Sequence, residues 1–124
     1  MADSANILVV DDRADKLLVL GSLLEPLGQN VVLVHSGEEA LKKMLEVDFA
    51  VILMDVNMPT MDGLETMREI RKIPACRDLP IIAVTAKAMK GDRERCLEAG
   101  AWDYLSKPVD TEQLLGTLRA WLHR

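Results

Sequence analysis

The sequence has few cysteines and no excess of basic charge. Its two cysteines, Cys76 and Cys96, form neither a CxxC nor a CxxH spacing, so they fit neither a zinc site nor a redox pair. Asp and Glu outnumber Lys and Arg by 20 to 15, which gives a net charge of -5. Because this charge leaves no basic surface for phosphate backbones or anionic lipid, we expect no direct binding to nucleic acid or to a membrane.

Long apolar runs are also absent. No run approaches the ~18 apolar residues that a membrane-spanning helix needs, and the N-terminal MADSANILVV lacks the basic and apolar segments of a secretion signal. No linker, repeat or low-complexity tract divides the 124 residues, a length typical of one domain. We therefore expect a single domain over residues 1–124, located in the cytoplasm with reduced thiols.

Short apolar runs alternate with stretches of helical spacing. Four runs rich in branched residues, typical of strands buried on both faces, are ILVV (7–10), VVLV (31–34), FAVILM (49–54) and IIAV (81–84), and the mixed run WDYL (102–105) supplies a fifth. Alternation of strand and helix with short connections predicts five βα units, with helices on both faces of a parallel sheet. The fold class is therefore a doubly wound α/β domain.

The helical stretches carry recognisable stripes and ends. The first stripe, Leu17 to Leu27, is predicted to stop at Gly28, and Ser36 with Glu39 has the spacing of a capping box. In each of three later helices the apolar residues are predicted to share one face. These residues are Ala40, Leu41, Met44 and Leu45 in the second helix, Leu64, Met67 and Ile70 in the third, and Leu114 and Leu118 in the last, which begins at the cap residue Asp110. Between residues 88 and 99 only Met89, Cys96 and Leu97 form an apolar face, which predicts a weakly docked helix.

Polar residues follow four of the predicted strands. Ligands of open parallel sheets bind beyond the carboxyl ends of the strands, where the strand order reverses. At these ends the sequence places Asp11 and Asp12, then Asp55, Thr85 and Lys107. Three carboxylates within about 5 Å repel one another by roughly 3 kcal/mol per pair at an effective dielectric constant near 20. One lysine cannot neutralise three acids, so this edge is predicted to bind a divalent cation, for which Mg²⁺ matches the oxygen ligands.

A metal, a lysine and a hydroxyl around a carboxylate suit phosphoryl transfer, because all three can interact with the charged phosphoryl oxygens. No Ser, Cys or His is placed to act as the nucleophile. Asp55 is therefore the candidate acceptor, and the product is an acyl phosphate.

Four blocks of the sequence resemble the receiver domain of two-component response regulators. They are ILVVDD (7–12), MDVNMPTMDG (54–63), VTA (84–86) and DYLSKP (103–108). The resemblance implies a flavodoxin-like (βα)5 sandwich with a parallel sheet in the order 2-1-3-4-5. The run from PIIAVTA to GDRERCLEAGAWDYLSKP is more similar to receivers attached to hybrid sensor kinases than to those of winged-helix transcription factors.

The resemblance also implies how the acids work. Asp55 takes a phosphoryl group from a histidine kinase or a histidine phosphotransfer domain. Asp12, Asp55 and the backbone carbonyl of Asn57 bind Mg²⁺ directly, Mn²⁺ being able to substitute, while Asp11 acts largely through water. The chain is then a signalling phosphoacceptor and not an enzyme with an external substrate. The partner is expected to dock around Arg13, Lys16 and the loop after the last strand.

Further roles follow from the same resemblance. Lys107 pairs with the phosphoryl group, and Thr85 donates a hydrogen bond to it. Tyr104 matches an aromatic switch position whose ring turns inward on activation. Asn57 and Lys87 flank the path of the water that hydrolyses the phosphate, and so set its lifetime. Asp62 is expected to be a turn residue and not a ligand, and the Lys107–Pro108 bond matches a step that is commonly cis in this family.

Two other functions remain possible on the residues alone. A haloacid-dehalogenase-like phosphatase also uses an aspartate at a strand end with Mg²⁺, Thr and Lys. Such enzymes carry a second acid two residues after the nucleophile, where this chain has Asn57, and a cap domain does not fit within 124 residues. The third function is a receiver-like interaction module that accepts no phosphate, which the presence of Asp11, Asp12, Asp55, Thr85 and Lys107 disfavours.

Overall fold

The computed structural model describes residues 5–58, 62–86 and 91–123. In these ranges five parallel strands alternate with five α-helices, and the strands form one sheet in the order β2-β1-β3-β4-β5. The elements in chain order are β1 (Asn6–Val10), α1 (Ala14–Leu23), β2 (Asn30–Val34), α2 (Gly37–Glu46), β3 (Val51–Asp55), α3 (Gly63–Arg71), β4 (Ile81–Thr85), α4 (Asp92–Ala99), β5 (Asp103–Ser106) and α5 (Thr111–Leu122). The predicted flavodoxin-like architecture and its strand order are confirmed.

Both faces of the sheet are covered, which explains why the strands are apolar without alternation. Neighbouring residues of a strand enter opposite layers: Ile52 and Met54 pack with α2, α3 and α4, whereas Leu53 packs with α1 and α5. β3 and β4 are buried along their full length. Among the described residues, no helix is both long and apolar enough to cross a membrane.

Side-chain caps begin three helices, two of them at the residues that the sequence predicts. Ser36 Oγ accepts a hydrogen bond from the Glu39 amide at 3.1 Å, and Asp110 Oδ1 accepts one from the Glu112 amide at 2.8 Å. Asp62, predicted as a turn residue, is instead the cap of α3, because its Oδ1 accepts a hydrogen bond from the Glu65 amide at 2.8 Å. Each cap satisfies an amide that has no partner within its helix.

The first helix is shorter than the leucine stripe suggests. α1 ends at Leu23, and a 3-10 turn over Glu25–Leu27 follows before Gly28 ends the segment at a φ of 68°. Pro26 explains the break, because proline donates no amide hydrogen and its ring crowds the preceding turn of an α-helix. The prediction of one helix up to Gly28 was therefore wrong, although Gly28 does stand at the left-handed position that favours glycine.

Other boundaries and two apolar positions also differ from prediction. β3 begins at Val51, two residues after the start of its apolar run, and includes Asp55, while β5 runs from Asp103 to Ser106. Leu45 is 78% exposed on α2 and Leu97 is 40% exposed on α4, so neither belongs to the buried face predicted for its helix. A residue can fit the helical spacing and still lie at the edge of the buried face, because consecutive residues are 100° apart around the helix axis.

An aromatic cluster lies at the amino-terminal end of β5, which we call the tryptophan end. It consists of Arg71, Gly100, Trp102, Asp103 and Trp121. The two tryptophan rings lie 5.6 Å apart, and Trp121 Nε1 donates a hydrogen bond to Asp103 Oδ2 at 3.0 Å. Arg71 donates from Nη2 to the Gly100 carbonyl at 2.7 Å and from Nη1 to the Cys76 carbonyl at 2.7 Å, with its guanidinium 5.5 Å from the centre of the Trp102 ring.

Candidate functional site

The strand order brings the ends of β1 and β3 side by side. Val10 pairs with Met54 in the parallel register, so the residues that follow them, Asp11 and Asp55, emerge at one edge of the sheet. Asp55 in turn pairs with Val84, which places Thr85 beside it at the end of β4. Lys107 follows β5, next in order along the sheet. We call this set the acidic edge: Asp11, Asp12, Asp55, Thr85 and Lys107.

The three aspartates of the acidic edge lie close enough to share one cation. Each offers a carboxylate oxygen, and these oxygens all lie within 4.8 Å of one another. Asp11 and Asp55 are only 3% and 4% exposed, whereas Asp12 faces solvent. Hard oxygen ligands with an open exposed side fit a Mg²⁺ ion that keeps part of its water shell.

The electrostatics of Asp11 reflect this crowding. Burial raises the pKa of its carboxyl above the ordinary value, the Arg13 amide hydrogen bond acts against that rise, and the charge of Asp55 adds to it. The Arg13 amide donates to Asp11 Oδ1 at 3.0 Å. Asp11 is thus held in place by one hydrogen bond while its charge is disfavoured by its neighbours, an arrangement that a bound dication stabilises.

Lys107 contacts Asp55 directly. Its Nζ lies 2.9 Å from Asp55 Oδ1, and both side chains are largely buried, at 18% and 4% exposed. The Lys107 amide donates to the Thr85 carbonyl at 2.8 Å, which fixes the start of the loop after β5 against the end of β4. The Lys107–Pro108 peptide bond is cis. The ammonium group therefore contacts one of three crowded carboxylates, and it is outnumbered by acids as the sequence predicts.

Thr85 and Tyr104 lie on neighbouring strands at different depths. Thr85 is fully buried, whereas the Tyr104 ring is partly buried and packs against the same core cluster as Cys96 of α4. Burial raises the pKa of the Tyr104 hydroxyl, and the nearby carboxylate of Asp92 adds to the effect. Lys87, the other predicted determinant of phosphate lifetime, lies outside the described residues.

Helix α4 has a thin apolar face. Its buried residues are Asp92, Cys96 and Ala99, and among the described residues Asp92 Oδ2 is a buried side-chain oxygen with no hydrogen-bond partner. The sequence predicts this weak docking, although Leu97 does not take part in it. Met89, the remaining residue of the predicted face, lies outside the described ranges.

Two contacts near Asp55 were not predicted, although Gly63 was expected to shape the loop after Asp55 together with Pro59, which lies outside the described residues. A Cβ atom on Gly63 would lie 2.4 Å from the Asp55 carbonyl oxygen and 2.6 Å from Val56 Cα, so the first residue of α3 rests directly on the backbone of Asp55. Asn57 Oδ1 accepts a hydrogen bond from the Ala86 amide at 2.8 Å, which joins the loops after β3 and β4. Glycine directly after a capping aspartate was the available signal for the first feature, and no sequence signal indicates the second.

An apolar groove runs from the acidic edge along α1. It encloses about 320 Å³, and its lining includes Lys16, Val19, Leu23, Pro108 and Val109 together with Asp55 and Lys107. Leu18 and Val19 on α1 are 70% and 58% exposed. The surface that was expected to receive a partner thus combines basic and apolar side chains and reaches Asp55.

Residues 7–119 match the family described as the response regulator receiver domain. The chain is 44% identical over 108 residues, 87% of its length, to the signal transduction histidine-protein kinase BarA of Shigella flexneri, and it spans only 12% of that protein. It is 40% identical to the transcriptional regulatory protein ZraR of Escherichia coli over 94% of this chain and 26% of that one.

Solved structures show the same likeness over nearly the whole chain. The receiver domain of a sensor histidine kinase from Pseudomonas aeruginosa, crystallised with a magnesium ion coordinated in its active site cleft, aligns with a TM-score of 0.89 at 39% identity, over 98% of this chain and 100% of that one. The chemotaxis protein CheY4 of Vibrio cholerae aligns with a TM-score of 0.91 at 32% identity, over 97% and 100% of the two chains.

Proposed function

This chain belongs to the family of response regulator receiver domains of two-component signalling, and we propose that it accepts a phosphoryl group on Asp55 from the phosphohistidine of a histidine kinase or a histidine phosphotransfer domain. The observation that carries the proposal is the position of Asp55, buried between two further aspartates and 2.9 Å from the ammonium group of Lys107. The relatives that are histidine kinases support the choice of donor.

The proposed step moves one phosphoryl group between two side chains. A carboxylate oxygen of Asp55 attacks phosphorus as the N–P bond of the donor phosphohistidine breaks. The bonding pair leaves with the imidazole nitrogen, so the donor becomes a histidine and Asp55 becomes an acyl phosphate. Lys107 holds the acceptor carboxylate before the reaction and faces the phosphoryl oxygens after it.

The residues of the acidic edge fit a Mg²⁺ or Mn²⁺ ion. Asp12, Asp55 and the backbone carbonyl of Asn57 would hold it directly, and Asp11 through water. When bound, the ion neutralises charge on the phosphoryl oxygens. The crowding of three carboxylate oxygens within 4.8 Å and the raised pKa of Asp11 support this assignment, because both favour a cation at this place.

Phosphorylation is proposed to switch the face that carries Thr85 and Tyr104. The Thr85 hydroxyl donates to a phosphoryl oxygen, and the Tyr104 ring turns inward beside it. The thin buried face of α4, which contributes Cys96 and Ala99, supports this proposal, since a helix with few apolar contacts is displaced at low cost. One new charge thereby biases an element that has two arrangements.

The groove along α1 is the proposed docking surface for the donor. Its lining includes Asp55 and Lys107, so a phosphohistidine presented along this surface can reach the acceptor. Lys16 in the groove and Arg13 near it favour acidic side chains at the rim of the donor's contact surface, and Val19 favours apolar side chains at its centre. The donor is therefore expected to present apolar side chains around its histidine.

A turnover phosphatase is less well supported. Its second acid would stand at residue 57, where the Asn57 amide oxygen is engaged by Ala86. We propose that the chain catalyses only its own phosphorylation and dephosphorylation, in the cytoplasm. A module that accepts no phosphate is disfavoured because the described acids and Lys107 are assembled as acceptors require.

Intact mass spectrometry tests the acceptor. Incubation with Mg²⁺ and acetyl phosphate is expected to add the mass of one phosphoryl group to the native chain and none to Asp55→Asn. The matched control is Asp62→Asn, because Asp62 is also an aspartate near the β3 end but serves as the cap of α3. Persistent labelling of Asp55→Asn, or steady release of phosphate from added monoesters, would contradict the proposal.

A second comparison tests the docking surface. Val19→Asp, at an exposed residue that lines the groove, is expected to slow phosphorylation by a phosphohistidine donor at least tenfold while leaving the rate with acetyl phosphate unchanged. Leu45→Asp is the matched control, since Leu45 is also an exposed apolar residue but lies on α2 and outside the groove lining. Equal effects of the two substitutions on the protein donor would exclude the groove.

A further inference from the structure

The side chain of Asn57 bridges the two loops on either side of the acceptor. Its backbone amide donates to Asp55 Oδ1 at 3.0 Å, while its side-chain Oδ1 accepts from the Ala86 amide at 2.8 Å. Both Asn57 and Ala86 face solvent. Since Ala86 directly follows Thr85, these two hydrogen bonds connect the Asp55 carboxylate, through Asn57, to the end of β4.

We propose that Asn57 Oδ1 is a displaceable substitute for a phosphoryl oxygen. In the unphosphorylated protein it occupies the Ala86 amide, and after phosphorylation of Asp55 an oxygen of the new group takes this donor and releases the Asn57 side chain. The inference rests on the proposed function of Asp55 and adds a regulatory role for Asn57 within the same site.

The position of Ala86 supports the exchange. Asp55 pairs with Val84 across the sheet, so Ala86 lies just beyond the edge at which Asp55 ends. The carbonyl of Thr85 accepts the Lys107 amide at 2.8 Å, and this bond holds the start of the β4–α4 loop beside the lysine that contacts Asp55. The Ala86 amide thus directly follows the strand end that lies beside Asp55 and Lys107.

The chemistry of the two oxygens favours the exchange. A phosphoryl oxygen carries negative charge and accepts a stronger hydrogen bond than the neutral oxygen of an asparagine amide. The displaced side chain loses little, because Asn57 is exposed and its amide can bond to water. The exchange therefore engages the Ala86 amide with the phosphoryl group and releases the Asn57 side chain in one event.

The same competition sets how tightly the site takes a phosphoryl group. The phosphoryl oxygen must displace a hydrogen bond that already exists, and an uncharged hydrogen bond corresponds to about a two- to tenfold change in an equilibrium constant. Removal of the Asn57 side-chain oxygen is expected to strengthen binding by that factor, whereas a purely structural role for this bond predicts weaker binding.

Titration of ¹⁵N-labelled protein with beryllofluoride, a phosphoryl mimic, in the presence of Mg²⁺ tests the exchange. In the native chain the Ala86 amide resonance is expected to shift on addition of the mimic. In Asn57→Ala this amide is expected to exchange with solvent faster before any addition, and the mimic is expected to bind about two- to tenfold more tightly. Leu45→Ala is the distant surface control and is expected to match the native chain.

A second variant separates occupancy of the amide from loss of the side chain. Asn57→Asp retains an oxygen at the same place with a charge, so the Ala86 amide stays protected and beryllofluoride binds more weakly. Unchanged Ala86 exchange in Asn57→Ala, or an unchanged or weaker affinity, would overturn the inference. If the native chain itself bound no beryllofluoride and gained no phosphoryl group, the proposed function would fail instead.

Discussion

At the tryptophan end of β5 the guanidinium of Arg71 meets two carbonyl oxygens and an aromatic ring, whereas at the acidic edge the ammonium of Lys107 contacts Asp55, one of three crowded carboxylates. The first cation has partners that match its donors. The second is outnumbered by acids that repel one another. Four residues of one strand thus separate a region in which polar groups satisfy each other from a region in which they do not, and the unsatisfied region is the one suited to binding a cation and a phosphoryl group.

The largest expected effect is at Lys107. Lys107→Ala leaves the buried Asp55 charge without its partner at 2.9 Å, so the free energy of unfolding is expected to fall by about 3 kcal/mol without metal. Phosphorylation by acetyl phosphate is expected to slow at least a hundredfold. Denaturant unfolding in EDTA and in Mg²⁺ measures the first effect, and Mg²⁺ should recover part of the loss. No loss of stability would mean that the acids of this edge do not conflict.

Arg71→Ala is expected to cost about 2–3 kcal/mol of unfolding free energy, because it leaves the Gly100 and Cys76 carbonyls without their charged donor. The rate of phosphorylation at the other end of the strand should not change. Arg71→Lys keeps the charge but not the fork of donors, and is expected to recover less than half of the loss. A slower phosphorylation rate in Arg71→Ala with unchanged stability would reverse the assignment of the two ends.

Metal is expected to stabilise only the acidic edge. Mg²⁺ at ten times its dissociation constant should add about 1.4 kcal/mol to the unfolding free energy, and EDTA should remove it. Thermal unfolding of the native chain and of Asp12→Asn provides the measurement. The variant is expected to show a much smaller gain, while Arg71→Ala should gain as much as the native chain. An equal gain in Asp12→Asn would place the ion elsewhere.

The smallest expected effect is the pH dependence of Asp11. Because the pKa of this carboxyl is raised in the folded protein, its ionisation favours unfolding as pH rises through the interval above its ordinary value. Asp11→Asn keeps the acceptor for the Arg13 amide and should raise the Tm of the metal-free protein by a few degrees at pH 7. The gain should vanish at acid pH, where Asp11 is protonated in both states. A gain that is constant with pH would point to packing instead.

Much of the fold follows from the sequence because its signals are local. Apolar runs mark the strands. Caps such as Ser36 and Asp110 mark helix starts, because each helix begins at the residue directly after its cap. The acids of the site were predicted because the carboxyl ends of parallel strands lie at the same edge of a sheet, so polar residues that follow the strands come close together. The strand order came from the resemblance, since an alternation of strands and helices does not specify it.

What the sequence did not reveal depends on contacts between distant segments. Pro26 ends α1 early, yet leucine spacing continues through it, so the periodic signal hides the break. The bond from Ala86 to Asn57 and the reach of Arg71 to Gly100 each join residues 29 apart in the chain, and no local pattern encodes either. Leu45 has helical spacing but faces water, and the spacing of apolar residues alone does not show how much of a helix surface is buried.

Gly63 limits which helix can respond to the acceptor. Gly63 packs against the Asp55 carbonyl with no room for a methyl group. The first turn of α3 is therefore already in close contact with the acceptor backbone and cannot move closer to the sheet. The tight contact of α4, at its C-cap Gly100, is with the flexible side chain of Arg71 and not with strand backbone. If phosphorylation displaces α4 as proposed, a binding partner could read the angle between α4 and α3.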